Sequence, residues 1–166
     1  VGGFDASYEI LGEETDLAWR VWLAGQEVWY EPAAVSWHAF GTSLKPPAQY
    51  YTLRRIHYLG ARNYVNLLLT NLGGGRLCMI LPMHLAVWCV SAAGFLLSGQ
   101  WRRAWLIWSG ICSTVRTASR TRWKRRQVQR TRVVSDRELW PLIAAHPPFD
   151  YYLQRLTSYI RRGLHG

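Results

Sequence analysis

The chain has 166 residues, 49% hydrophobic and 18% charged, which excludes a disordered polypeptide and suits one domain, or part of one with an appendage. Three cysteines without paired spacing exclude a disulfide scaffold. Twenty Lys and Arg against ten Asp and Glu give a formal charge of +10, unevenly spread: residues 32–135 carry fifteen bases and no acid, so an anionic surface is their natural neighbour.

Residues 1–31 are the opposite, with seven acids and one base. The chain opens at Val1 directly before a motif, with no signal peptide, and reads as a fragment that begins inside a domain. Gly2-Gly3 reads as a turn. Glu13–Ala24 reads as a helix with Leu17, Ala18, Val21 and Trp22 on one face, ended by Gly25 in the position just past the helix. Asp16 and Arg20 stand four apart and are spaced to pair. Glu27–Tyr30 and Ala34–Trp37 read as two short strands broken by Glu31-Pro32, and Leu44-Lys45-Pro46-Pro47 reads as a boundary.

Gln49 to about Asn71 reads as a helix stopped by Gly73-Gly74-Gly75. Leu77–Gln100 carries no charge with its histidine neutral and is long enough to cross a bilayer, although Pro82 and His84 weaken the pattern. The run Ser91-Ala92-Ala93-Gly94 suits close helix packing. Trp101, Ala104, Trp105, Trp108, Cys112 and Val115 then form one helical stripe, with Arg102, Arg103, Arg116 and Arg120 in or beside it. Trp on one side with Arg nearby fits a helix lying in a membrane interface. Thr121–Arg132 is a basic run, and Asp136–Ala145 and Phe149–Arg161 read as a last helical pair split by Pro147-Pro148. The expected organisation is 1–45, a helical connector at 46–75, a membrane-associated part at 76–132 and C-terminal helices at 133–166. It is mostly α-helical, with a two-strand element near the N-terminus.

Motif order narrows the reading. Gly2-Gly3-Phe4-Asp5, then Glu13-Glu14-Thr15-Asp16-Leu17-Ala18-Trp19-Arg20, Gly25, Tyr30-Glu31-Pro32-Ala33-Ala34-Val35 and His38 resemble the end of the GT-A domain of family 2 glycosyltransferases, in the rhamnosyltransferase-like branch. Arg62-Asn63, and the run from Arg126-Gln127-Val128-Gln129-Arg130 to Val134-Ser135-Asp136, resemble the C-terminal extension of such proteins. The resemblance implies an α/β fold of which this chain holds only the C-terminal portion. It implies inverting transfer of a sugar from a nucleotide-diphosphate sugar donor to a hydroxyl of a glycan or lipid-linked acceptor, in cell-envelope polysaccharide synthesis. Carried over residue by residue, Glu14 is the general base, Glu13, Asp16 and Arg20 support the acceptor side, and His38 helps to hold a divalent metal or the donor's diphosphate. Many relatives have Asp where this chain has Glu14.

The chemistry stands beside the resemblance. A neutral hydroxyl is a poor nucleophile, and a carboxylate within hydrogen-bond reach takes its proton as the new bond forms. A helix N-terminus favours the ionised form that a base needs. Imidazole is a competent ligand for Mn²⁺ and a poorer one for Mg²⁺. The plain alternatives are that Glu13 and Glu14 satisfy a first helical turn, that Asp16 and Arg20 are ordinary helix neighbours, and that His38 packs beside Trp37. The DxD-type carboxylates with which the family holds Mg²⁺ or Mn²⁺ have no counterpart here, so the fragment alone is expected to be inactive. Gly73-Gly74-Gly75 lacks the Lys-Ser/Thr of a phosphate loop. His57, His84, His146 and His165 have no ligand spacing, and Cys78, Cys89 and Cys112 read as small buried hydrophobes.

A second class of function competes. The basic run would suit a non-enzymatic, membrane-bound module that binds anionic lipid or nucleic acid. Its place after an apolar span favours lipid and the cytoplasmic face of the membrane. The acidic motif region needs that face too, because nucleotide sugars are there. One crossing cannot serve both ends, so a monotopic or hairpin attachment is expected.

Overall fold

The computed structural model describes residues 1–37 and 53–143. Val1–Asp136 forms one compact unit, and the described residues from Arg137 onward belong to a second. Among the described residues the longer elements are all helical: α1 (Glu13–Leu23), α2 (Gly60–Asn71), α3 (Gly74–Leu97), α4 (Trp101–Arg116), α5 (Ala118–Thr131) and α6 (Asp136–Ile143). A 3-10 turn at Ala6–Tyr8 precedes α1, and a π-helical turn at Arg54–Leu59 leads into α2. The mostly helical expectation holds.

The two short strands do not form. Glu27–Tyr30 and Ala34–Trp37 are irregular, and no strand of an α/β sheet occurs among the described residues. A strand needs an edge to bond with, and none is offered among the described residues. The apolar side chains that would have faced a sheet stand open, Trp37 at 98% exposure. The expected boundary at 44–47, the start of the connector helix and the chain beyond Ile143 lie outside the described residues.

Helix α2 is the hub, buried on nearly all sides from Ala61 to Asn71. Helices α1, α3, α4 and α5 pack around it. Gly110 of α4 lies against Tyr58 and Ala61, Thr121 bonds to Asn66, and Arg125 bonds to the carbonyls of Leu69 and Leu72. Rising numbers therefore meet rising numbers, and α4 and α5 run alongside α2 in the same direction. Gly110 is required by this approach, because a Cβ there would stand 2.5 Å from the Tyr58 carbonyl oxygen. Helix α3 returns the other way, with Trp88 against Gly60 and Phe95 edge-on to His57. Ala61, Ala92, Phe95, Ala104 and Ile107 make the apolar core between them.

Two helices end alike. Gly25 and Gly99 both take φ 74, and the residue after each donates back to the last turn: Gln26 to the Val21 carbonyl (3.1 Å) and Gln100 to the Phe95 carbonyl (2.8 Å). A left-handed residue closes the helix at little cost only when it is glycine.

Two apolar stripes differ from expectation. On α1, Leu17, Ala18, Val21 and Trp22 are half-buried, and the face turned inward carries Asp16 and Leu23. On α4, Ala104 is buried with Ile107, while Trp101, Trp105, Trp108, Cys112 and Val115 face outward. Cys78 is exposed as well, so these two cysteines are not core residues. On α3, Met79, Met83, Val87, Val90 and Leu97 form a second exposed apolar stripe. That helix is long and apolar enough to cross a membrane by length and composition, and only 11% of its most apolar stretch is buried.

Candidate active site

The acidic pair opens α1 behind a strained loop. Gly12 (φ 91) precedes the helix without a side-chain cap. Glu14 is exposed on the first turn, and Glu13 is half-buried with its Oε2 buried and unpartnered. Glu9 (φ 60) and Leu11 (φ 71) sit in left-handed conformations that non-glycine residues avoid, at roughly 1–3 kcal/mol each.

Asn63 holds that loop. It is 1% exposed, and its Nδ2 donates to the carbonyls of Tyr8, Ile10 and Leu11, each at 2.8 Å. Arg62 adds bonds to the Ser7 carbonyl (2.8 Å) and to Glu9 (3.2 Å), and Arg54 reaches the same carboxylate. Burial raises the Glu9 pKa, but Arg54 and Arg62 outweigh it and hold the carboxyl below its usual range.

Asp16 and Arg20 are brought together as the spacing predicts, at 2.8 Å. Asp16 also accepts from Asn71 (2.9 Å) and from the Tyr8 hydroxyl (3.3 Å). Arg20 reaches the Val1 and Gly3 carbonyls at 2.6 and 2.9 Å, which fastens the Gly2-Gly3 turn to α1. Burial and the Asp16 charge together push the Tyr8 phenol well above its usual range. The pair is thus the pivot of a packing network, and Glu14 takes no part in it.

The basic run is less free than its sequence implies. Lys124 pairs with Asp5 and donates to Ser7 Oγ (2.6 Å). Burial raises the Asp5 pKa, but the Lys124 and Ser7 bonds outweigh it and lower the carboxyl. Arg125, Gln129 and Arg132 donate to carbonyls at the C-terminal end of α2, which would otherwise lack partners. Arg132 also pairs with Asp136 (2.7 Å), which accepts from the Gly73 amide. Arg116, Arg120, Arg122, Arg126 and Arg130 remain exposed.

Two clefts flank the Asp5–Lys124 pair. One, of about 240 Å³, lies between the Ser7–Glu9 loop, α2 and the start of α5. The other, of about 650 Å³, lies between Val1–Ala6, Arg20 and the face of α5 from Arg120 to Thr131, and shares Arg120 and Lys124 with the first. Neither is lined by Glu13 or Glu14. His38 lies outside the described residues, and among those described no three His, Cys, Asp or Glu are grouped to hold a metal ion. Sequence reading missed Tyr8, the cleft and the Lys124 and Arg125 anchors. Arg62-Asn63 was the one visible signal, and its geometric role was not. No protein-family model, curated protein or solved structure matches the chain.

Proposed function

We propose that this chain is the C-terminal part of a membrane-associated, family 2-like inverting glycosyltransferase. One observation carries the reading: the stretches that resemble the family, far apart in sequence, meet around α1. Asn63 holds the loop just before Glu13-Glu14, and the Val133 and Val134 amides bond to the Leu23 carbonyl at 2.8 and 3.2 Å. The acidic pair therefore starts a helix fixed at both ends.

In this reading an acceptor hydroxyl attacks the anomeric carbon and the bond to the diphosphate breaks. Glu14 takes the hydroxyl proton. Its exposure leaves room for an acceptor. Asp16 and Arg20 hold the helix that presents it, and Glu13 supports the acceptor side beside it. The donor, and the Mg²⁺ or Mn²⁺ that offsets charge on its diphosphate, belong to a nucleotide-binding half, with His38 contributing. The exposed stripes of α3 and α4 attach the protein to the cytoplasmic face as a hairpin or interfacial element. Lys124, Arg125 and Arg132 are committed to internal partners, which leaves the competing basic module only the exposed arginines of the run.

The test is transfer by the protein with its donor-binding half present. Glu14→Gln is expected to lower turnover by about 10²–10⁴-fold, the usual share of a general base, with donor affinity kept. Near-normal turnover in the folded variant removes Glu14 as the base.

A further inference from the structure

We infer that the smaller cleft, between the Ser7–Glu9 loop, α2 and the start of α5, is a binding site for a phosphate group. Arg62, Arg120 and Lys124 line it against a single carboxylate, Glu9. Arg62 and Lys124 are held in place by Glu9 and Asp5, which offset much of their charge, so Arg120 is the cation that a ligand would meet. Arg120 has no hydrogen bond or ion pair among the described residues, and its planar fork matches two phosphate oxygens. Asn66 Oδ1 accepts from Thr121 (3.1 Å), which leaves the amide N–H pair of Asn66 without a partner there. Ser7 Oγ accepts from Lys124, and its own hydroxyl is spent on Asp5, so it fixes Lys124 and is not a donor for the ligand. An anion is the ligand that this set of donors lacks.

Size and place narrow the class. About 240 Å³ falls below the roughly 300–1,000 Å³ of sites for larger ligands, so the cleft suits a headgroup-sized anion and not a whole nucleotide. Arg120 stands about one helical turn beyond Val115 and Arg116, where the outward Trp face of α4 ends. If that face meets lipid, as proposed above, the cleft opens at headgroup depth. Only the source of the phosphate, a lipid headgroup or a free ion, rests on that reading. The phosphate chemistry does not.

The test uses the full chain in detergent, with inorganic phosphate as probe and melting temperature as readout. It also uses flotation with phosphatidylcholine vesicles, with and without phosphatidic acid. Arg120→Gln is compared with Arg130→Gln, a charge lost from an exposed position on the same helix that does not line the cleft. Phosphate should raise the melting temperature of the parent and of Arg130→Gln, and Arg120→Gln should need about tenfold more phosphate for the same shift, as for one lost charge-assisted pair. A preference for phosphatidic acid that Arg120→Gln abolishes assigns the site to lipid. A phosphate response without that preference assigns it to a soluble phosphate. Equal losses in both variants, or no response to either probe, overturn the site. No turnover is measured, so such a failure leaves the Glu14 test untouched.

Discussion

At the α1 end, Asp16, Asn63, Arg62 and Arg125 each meet two or more polar partners, and the loop they hold includes two strained residues. The α3–α4 hairpin is joined to the rest by Ala61, Ala92, Phe95, Ala104 and Ile107, with its outer faces uncovered. Directional bonds fix a backbone to within a few tenths of an ångström, which a site needs. Apolar burial is non-directional and leaves the remaining apolar surface for another apolar medium. One compact unit thus combines a hydrogen-bonded polar end with a hairpin whose outer faces are apolar and exposed.

The largest break in that contrast is at the polar end. Asp16→Ala leaves Arg20 and the Asn71 amide without their carboxylate and should cost roughly 3–5 kcal/mol, read as a lower melting temperature in detergent. A milder loss would mean that water replaces the carboxylate and that the network is looser than its distances indicate.

Next comes the junction. His57 is buried against Phe95, and burial, then the Arg103 charge, push its pKa from 6.5 down to about 4. The unfolded chain binds the proton more readily, so this contribution is fully present above pH 6.5 and is lost as pH falls toward 4. The loss amounts to roughly 3 kcal/mol at 1.36 kcal/mol per unit. His57→Phe should flatten stability across that window. An unchanged slope would place the titration elsewhere.

The smallest effect on folding sharpens the contrast most. Trp105 is 66% exposed, so Trp105→Ser should change stability by less than about 0.5 kcal/mol and still weaken vesicle binding clearly. Unchanged flotation would remove the Trp stripe from the membrane contact.

Much of the helical skeleton was legible in the sequence. Gly25 and Gly73–Gly75 marked helix ends, and Leu77–Gln100 differed from α3 by three residues at each end. Strand patterning at Glu27–Trp37 misled because alternation reports a face and not the presence of a partner to cover it. The Asp5–Lys124 and Asn63–Tyr8 links were out of reach, since pairs 119 and 55 residues apart leave no periodic trace. The basic run was visible, but nothing local tells which of its cations will cap a neighbouring helix. Glu14 was legible only through resemblance, since an exposed glutamate on a first turn is ordinary.

The most direct measurement of the two-ended account is thiol labelling in inverted membrane vesicles, with the cytoplasmic face outward and a membrane-impermeant maleimide. In a background lacking the other cysteines, Cys112 alone is compared with Glu14→Cys alone. Both positions are exposed on the protein surface, so burial in the protein does not separate them, and the rates in detergent correct for the greater thiolate character of a first-turn cysteine. The account predicts rapid labelling at position 14 and slow labelling at Cys112, which detergent then accelerates. Equal rates at the two positions before detergent would contradict it.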